Sequence, residues 1–151
     1  MSSISDFNGQ RSGEAEAGLS EQISLDLPAD PAVLSLARLT VGVVAARADL
    51  GLEDVEDLRL AVEELCLSMW RHIEREPVRL LFRYVWDHRC VEVSCAFVTD
   101  GAPLPPSLSQ TELPDELSRL ILDALVDEHG VVGDGSELSG WVRKRRLLRP
   151  A

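Results

Sequence analysis

The chain has 151 residues, which fits one domain, and 45% of them are hydrophobic, which is enough for a packed core. Its 26 acidic and 15 basic residues leave a formal net charge of −11, which argues against binding nucleic acid through a basic face and against docking on an anionic membrane. The same charge suits a basic protein partner.

The sequence shows neither a membrane helix nor a secretory signal. No stretch approaches the roughly 20 apolar residues that a membrane helix needs, and the first residues lack a basic region followed by an apolar one. The three cysteines, Cys66, Cys90 and Cys95, have no CxxC spacing and predict neither a disulfide framework nor a metal site. We therefore expect a cytoplasmic protein.

The first half of the chain predicts a tail, a strand and two helices. Residues 1–20 have almost nothing to bury and are expected to be a flexible tail, which leaves residues 21–151 as the domain. A short strand follows, with Ile23, Leu25 and Leu27 alternating with polar residues. Asp30 and Pro31 then start a helix that runs to about Asp49. Its expected buried stripe is Leu36, Leu39, Val43 and Ala46.

The second helix is expected from about Glu53 to Ile73, with one apolar and one polar stripe. The apolar stripe, which predicts the core face, consists of Val55, Leu58, Val62, Leu65 and Met69. The polar stripe beside it includes Glu64, Ser68 and His72.

The second half predicts a hairpin, a loop, a third helix and a last strand. Alternation over residues 78–86 and 91–97 predicts the antiparallel hairpin, and four prolines in residues 100–114 predict the loop. The helix is expected over residues 115–128, with its apolar side chains inward, namely Leu117, Leu120, Ile121 and Leu125. Residues 130–135 are interpreted as a glycine-rich turn, and residues 138–148 as the last strand.

Five of the 15 basic residues lie in the segment 143–149 (RKRRLLR), so the rest of the chain is more acidic than the net charge suggests. This basic cluster either protects an edge strand from pairing or binds anions. The element order β–α–α–β–β–α–β predicts a two-layer α+β sandwich with helices on one face of the sheet.

Two groups of residues are candidates for chemistry. Glu64, Ser68 and His72 follow one another at four-residue intervals, so a general base and a metal–phosphate site would share one helix face. The alternative is a solvated helix flank. Asp100-Gly101 ends a strand, where a carboxylate can accept a hydrogen bond from a purine amino group; the alternative is a plain turn.

Residues 36–72 (LARLTVGVVAARADLGLEDVEDLRLAVEELCLSMWRH) resemble the bacterial anti-sigma factor serine kinases. These belong to the GHKL superfamily of ATPases, which includes gyrase, Hsp90 and histidine kinases. The resemblance extends over about residues 21–148 and implies the histidine-kinase-like (Bergerat) fold, with a mixed sheet covered by helices on one face. It also implies that Glu64 assists phosphoryl transfer, and that Arg38 on the first helix contacts a sigma factor or an anti-anti-sigma protein. The alternative for Arg38 is a solvated side chain.

The nucleotide motifs of the family are degraded in this chain. Ser68 stands where the family has an Asn that completes the Mg–phosphate site, and it lacks the amide carbonyl that ligates Mg²⁺. The adenine box is reduced to Asp100-Gly101, followed by Ala and Pro, and no glycine occurs in residues 113–120, where the family has a phosphate-binding box. His72 is the remaining residue of this degenerate site.

These features lead to one leading functional hypothesis and two alternatives. The leading hypothesis is a regulatory anti-sigma-factor-like protein that binds a sigma factor or a STAS-type partner and has weak or lost ATP binding. The first alternative is an active ATP-dependent serine protein kinase that phosphorylates an anti-anti-sigma factor, with Glu64 as its base and Mg-ATP as its cofactor. The second is a homodimeric scaffold, since the family pairs through this sandwich.

Overall fold

The computed structural model describes residues 20–73, 77, 79–99, 114–134 and 137–146 of the chain. The three α-helices are α1 (Leu34–Arg47), α2 (Leu52–Trp70) and α3 (Glu116–Leu125). The five strands are β1 (Glu21–Pro28), β2 (Arg79–Trp86), β3 (Cys90–Val98), β4 (Glu128–Asp134) and β5 (Glu137–Arg145). None of the described helices is long and apolar enough to cross a membrane.

The strands form one five-stranded sheet in the order β1-β2-β3-β5-β4, and the helices pack on one face of it. The α+β sandwich is thereby confirmed. All four pairings between the described strands are antiparallel, so the expectation of a mixed sheet is wrong in that detail. Two successive helices return the chain to the end of the sheet at which β1 ends. The strand β2 therefore starts beside the end of β1 and is antiparallel to it. A parallel pair would need a single crossover.

The start of the first helix follows the prediction closely. The Asp30 carboxylate accepts a hydrogen bond of 3.0 Å from the backbone N–H of Ala32, and Pro31 opens a single 3₁₀ turn that leads into α1. The helix α2 also follows the prediction: its expected core residues are buried, apart from Val55, which is partly buried.

The expected buried stripe of α1 is wrong, and that of α3 is wrong for two of its four residues, since Leu125 packs against the core and Ile121 is partly buried. In α1, Leu36, Leu39 and Val43 are 43%, 64% and 56% exposed, and in α3, Leu117 and Leu120 are 68% and 62% exposed. The side chains of α1 that enter the core are Leu34, Ala37, Val41, Val44 and Ala45. Because α1 is apolar on two sides, periodicity alone does not decide which side faces the sheet.

The glycine-rich segment is a strand, β4, and the interpretation as a turn is wrong. In this strand Gly130 lies opposite Trp141 of β5, and a Cβ at Gly130 would come within 2.7 Å of the indole nitrogen. The glycine therefore makes room for the indole ring within the sheet, which is a use of glycine in strands distinct from turn formation.

The strand β5 lies between β3 and β4, so the interpretation of the basic cluster as an edge-strand device is also wrong. Its described basic side chains pair with carboxylates of the same chain. Arg143 lies 3.0 Å from Glu92 and 2.8 Å from Glu128, and Arg145 also contacts Glu128. Lys144 lies 3.4 Å from Asp57 and 3.7 Å from Asp54, and Arg146 lies 2.8 Å from Asp49.

Candidate functional site

The helices α1 and α2 enclose an open groove of about 410 Å³. The groove is lined by Ser35, Arg38, Leu39, Glu56, Arg59, Leu60 and Glu63. On its α1 side, a guanidinium nitrogen of Arg38 lies 3.4 Å from both carboxylate oxygens of Glu63, and the Arg38 side chain is 45% exposed. So long and exposed an ion pair contributes little stability, and the guanidinium remains accessible to a partner.

Beside Arg38 lies an exposed row of apolar side chains, which we name the α1 seam and which consists of Leu36, Leu39 and Val43. Leu60 of α2, 52% exposed, stands across the groove from it. Steps of three and four residues place the seam on one side of the helix, opposite its core-facing side. Contiguous apolar surface rimmed by charged groups is typical of a protein interaction site.

Arg59 is a groove residue that the sequence analysis missed. Its guanidinium lies over Gly42 of α1, where an added Cβ would come within 2.5 Å of it, and it donates a hydrogen bond of 2.9 Å to Glu56. The Nε of Arg59 is buried and has no hydrogen-bond partner among the described residues. The sequence signal was the glycine inside α1, which has a packing role here.

Glu64 faces α3, on the other flank of α2. Its carboxylate accepts a hydrogen bond of 2.6 Å from the hydroxyl of Ser118, a side chain that is 1% exposed. Arg71 lies 3.4 Å from both Glu64 and Ser118. The predicted base therefore already holds a hydroxyl of its own chain.

The N-terminus of α3 is capped by Asp115, whose carboxylate accepts a hydrogen bond of 2.8 Å from the backbone N–H of Ser118. This hydrogen bond, with smaller contributions from Arg71 and His72, lowers the pKa of the Asp115 carboxyl. A helix N-terminus attracts anions, and here the chain supplies its own carboxylate.

Of the other predicted nucleotide residues, Ser68 and His72 are described, and they do not share one open face with Glu64. Ser68 is fully buried, and its hydroxyl donates to the Leu65 carbonyl at 2.9 Å. His72 lies in the turn after α2, beyond the helix end at Trp70, so the expected three-residue stripe is broken. Asp100 and Gly101 lie outside the described residues. Among the described residues no three His, Cys, Asp or Glu side chains are grouped as metal ligands would be.

The chain resembles known proteins in sequence and in fold. The serine-protein kinase RsbW of Listeria monocytogenes serotype 4a (strain HCC23) is 39% identical over 56 residues, which are 37% of this chain and 36% of the relative. The same kinase of Bacillus cereus (strain AH187) is 33% identical over 58 residues, which are 38% of this chain and 36% of the relative. The similarity thus covers about a third of each relative.

A solved structure, that of the RsbU and RsbW domains of Rv1364c from Mycobacterium tuberculosis, superposes with a TM-score of 0.58 at 16% identity. The superposition covers 87% of this chain and 34% of that one, and it supports the fold. The profile of the family described as the histidine kinase-like ATPase domain matches residues 27–137, from the end of β1 to the start of β5. The chain belongs to the family of histidine kinase-like ATPase domains.

Proposed function

We propose that this chain is a regulatory protein of the anti-sigma-factor type, which binds a sigma factor or a STAS-type anti-anti-sigma protein. The observation that carries the proposal is the α1 seam, exposed beside Arg38. The helix α1 has apolar side chains on two sides, and the core of the domain buries one of them. A protein partner buries the other side.

Charge supports a partner with a basic surface. The chain carries a formal net charge of −11. The described basic residues of β5 are paired with carboxylates of the same chain, so they do not offer the partner a basic face. A DNA-binding protein such as a sigma factor has basic surface that complements this one. Arg38 then pairs with a carboxylate at the edge of the contact.

Binding of purified sigma factors and STAS-domain proteins from the same genome, measured by biolayer interferometry, tests this proposal. Leu39→Glu puts a charge into the seam and is expected to weaken binding roughly 100-fold, and Arg38→Ala roughly 10-fold. The matched control is Leu120→Glu on α3, because Leu120 and Leu39 are 62% and 64% exposed. The control should bind as the unmodified chain does; equal loss in both Leu variants, or binding by no candidate, would contradict the proposal.

We also propose that ATP binding is weak or lost, because the described residues do not fit Mg-ATP. The Glu64 carboxylate is held by Ser118 and Arg71. Ser68 is buried and has no amide carbonyl for Mg²⁺. The Asp115 carboxylate brings negative charge to the helix end where a phosphate would lie.

Isothermal titration of the full chain with Mg-ATP tests the loss of nucleotide binding. No heat of binding is expected at micromolar concentrations. A micromolar dissociation constant that is lost in Glu64→Gln and in Asp100→Asn would overturn this part of the proposal, while leaving the partner surface on α1 untouched.

The alternative function is an active serine protein kinase that phosphorylates an anti-anti-sigma factor. It is favoured by the relatives, which are serine-protein kinases, and by the serine hydroxyl bound to Glu64 at 2.6 Å. In this alternative Glu64 accepts the proton of the substrate hydroxyl. Transfer of radiolabel from ATP to a STAS-domain protein, abolished by Glu64→Gln, would establish the kinase; no transfer from pure protein would exclude it for that substrate.

A second copy of the chain is the other candidate for covering the α1 seam. Antiparallel pairing of two α1 helices would bring Leu39 of one copy against Val43 of the other, without opposing like charges. Sedimentation equilibrium of the free chain distinguishes a second copy from a different protein at the α1 seam. A dimer that dissociates on Leu39→Glu identifies the seam as a self-interface, whereas a monomer indicates that the seam binds a different protein.

A further inference from the structure

Cys66 of α2 and Cys95 of β3 face each other in the core. Their sulfur atoms are 3.9 Å apart, and both side chains are fully buried. They are 29 residues apart in sequence and join the helical layer to the sheet. The third cysteine, Cys90, lies at the start of β3 and is partly exposed.

A glycine in the neighbouring strand allows this close approach. Gly140 of β5 lies opposite Cys95 in the sheet. A Cβ at Gly140 would lie 2.8 Å from a methyl carbon of Leu65 and 3.0 Å from the sulfur of Met69, both on α2. The helix therefore packs directly on the sheet at this level, and Cys66, the residue after Leu65, is brought to Cys95.

We propose that Cys66 and Cys95 are a redox modification site, which a peroxide converts into a disulfide that ties α2 to β3. A disulfide needs a sulfur–sulfur distance of about 2.05 Å, so the two sulfurs must approach by roughly 2 Å from their separation of 3.9 Å. The proposed bond therefore requires side-chain rotation and a small movement of α2 toward β3.

The chemistry balances with one peroxide per disulfide. One thiolate attacks the O–O bond of hydrogen peroxide, forms a sulfenic acid and releases hydroxide, which takes up the thiol proton as water. The second thiol then attacks the sulfenic sulfur, the S–S bond forms and the S–O bond breaks, and a second water leaves. Two thiols are oxidised by two electrons, and the peroxide is reduced to two waters.

Burial makes this site slow. Burial and the neighbouring Cys66 raise the pKa of the Cys95 thiol, so little thiolate is present near neutral pH. Peroxide reaches the sulfurs when α2 opens locally. The site therefore responds to sustained oxidation rather than to a brief pulse.

Formation of the Cys66–Cys95 disulfide restricts the movement of one wall of the groove between α1 and α2. The helix α2 supplies Arg59, Leu60 and Glu63 to the groove, and the bond fixes this wall to the sheet. This consequence goes beyond the proposed partner binding, and formation of the bond does not depend on a partner.

Peptide mapping of the full-length Cys90→Ser variant tests the proposal. This variant removes the partly exposed thiol and keeps the pair. After hours in hydrogen peroxide under native conditions, thiols are blocked with N-ethylmaleimide in denaturant, and the digest is analysed without reduction. The expected result is a Cys66–Cys95 linked peptide from most molecules, which reductant separates. Recovery of both cysteines as maleimide adducts, or as sulfinic and sulfonic acids, would overturn the proposal.

A second measurement distinguishes a native site from a crosslink formed after unfolding. The urea midpoint of the oxidised Cys90→Ser variant should lie above that of the reduced form, since a crosslink restricts the unfolded chain. A disulfide that appears solely when peroxide is added in unfolding concentrations of urea, or one that lowers the midpoint, would contradict a site built into the folded protein.

Discussion

Glu64 accepts hydrogen bonds at its Oε1 atom from two side chains that come from different parts of the chain. Ser118, 54 residues away, donates to it at 2.6 Å, and Arg71 lies at 3.4 Å. With a hydroxyl and a guanidinium already bound, this carboxylate joins α2 to α3 and has a structural role in addition to any chemical one.

Ser118→Ala is expected to lower the free energy of unfolding by about 2 kcal/mol, because it removes a buried hydrogen bond to a charged acceptor. Ser35→Ala is the matched control, since the Ser35 hydroxyl makes an exposed bond of 3.0 Å to the Ala32 carbonyl. Urea unfolding followed by circular dichroism measures both. Equal and small effects would show that the bond to Glu64 contributes nothing to the fold.

The sequence placed Glu64 and Ser68 correctly on one helix, but it did not predict their environments. Helical spacing gives the orientation of side chains around α2 relative to one another. It therefore cannot show that the Ser68 side chain lies in the core, or that Ser118 of α3 contacts Glu64. The N-cap role of Asp115 could have been predicted, since Asp before a helical pattern is a common start signal. The effect of the Asp115 carboxylate on phosphate binding could not be predicted, because it depends on where the N-terminus of α3 lies in the fold.

The two sides of α1 have nearly the same composition and opposite environments. Val44 is fully buried, and its neighbour Val43 is 56% exposed. The sequence predicted the helix and the capping role of Asp30, which acts on the 3₁₀ turn before α1, but it predicted the wrong side of the helix for the core. The choice depends on how α1 packs against α2, and specifically on Gly42 receiving Arg59.

Val44→Ala and Val43→Ala form a matched pair that tests which side is the core side. Val44→Ala should lower the free energy of unfolding by about 2 kcal/mol, the cost of two buried methyl groups and the space that they leave. Val43→Ala should change it by less than about 0.5 kcal/mol in the free chain. Urea unfolding of both variants measures the difference, and the reverse order would mean that the helix faces the sheet with its other side.

The strand β4 illustrates a second use of glycine that sequence patterns misassign. Gly130→Ala should destabilise the protein by about 1–3 kcal/mol and shift the tryptophan fluorescence, because the new methyl group meets the rigid ring of Trp141. Gly133→Ala, in the same strand, places its methyl group 3.6 Å from a Leu138 carbon and should be tolerated. Equal tolerance of both substitutions would contradict the close contact at Gly130.

At the scale of the whole molecule, the charge distribution is organised around β5. Its lysine, Lys144, reaches Asp57 at 3.4 Å, Asp54 at 3.7 Å and the Leu125 carbonyl at 2.8 Å. The first turns of α2 and the end of α3 are thus held to the sheet by one ammonium group. Net charge predicted an acidic surface, but it could not show that the basic cluster is largely neutralised within the chain.

Lys144→Met should lower the free energy of unfolding by about 2 kcal/mol, because two carboxylates and a carbonyl lose a largely buried partner. Arg47→Met is the control. Arg47 forms an ion pair with Glu21, and because their side chains are 58% and 55% exposed, the pair should contribute less than about 1 kcal/mol to stability. Thermal and urea unfolding measure both variants. Equal destabilisation would show that the largely buried contacts of Lys144 contribute no more to stability than an exposed ion pair does.

Glu63 and Glu64 are consecutive residues of α2, yet they face opposite flanks of that helix. Glu63 holds Arg38 at the groove, and Glu64 holds Ser118 of α3. A partner that draws Arg38 away and a ligand that displaces Ser118 would act on the same helical turn. Where such a change in that turn couples the two, thermodynamic reciprocity requires that each changes the affinity for the other by the same factor. One turn of α2 thus carries the contacts to both α1 and α3.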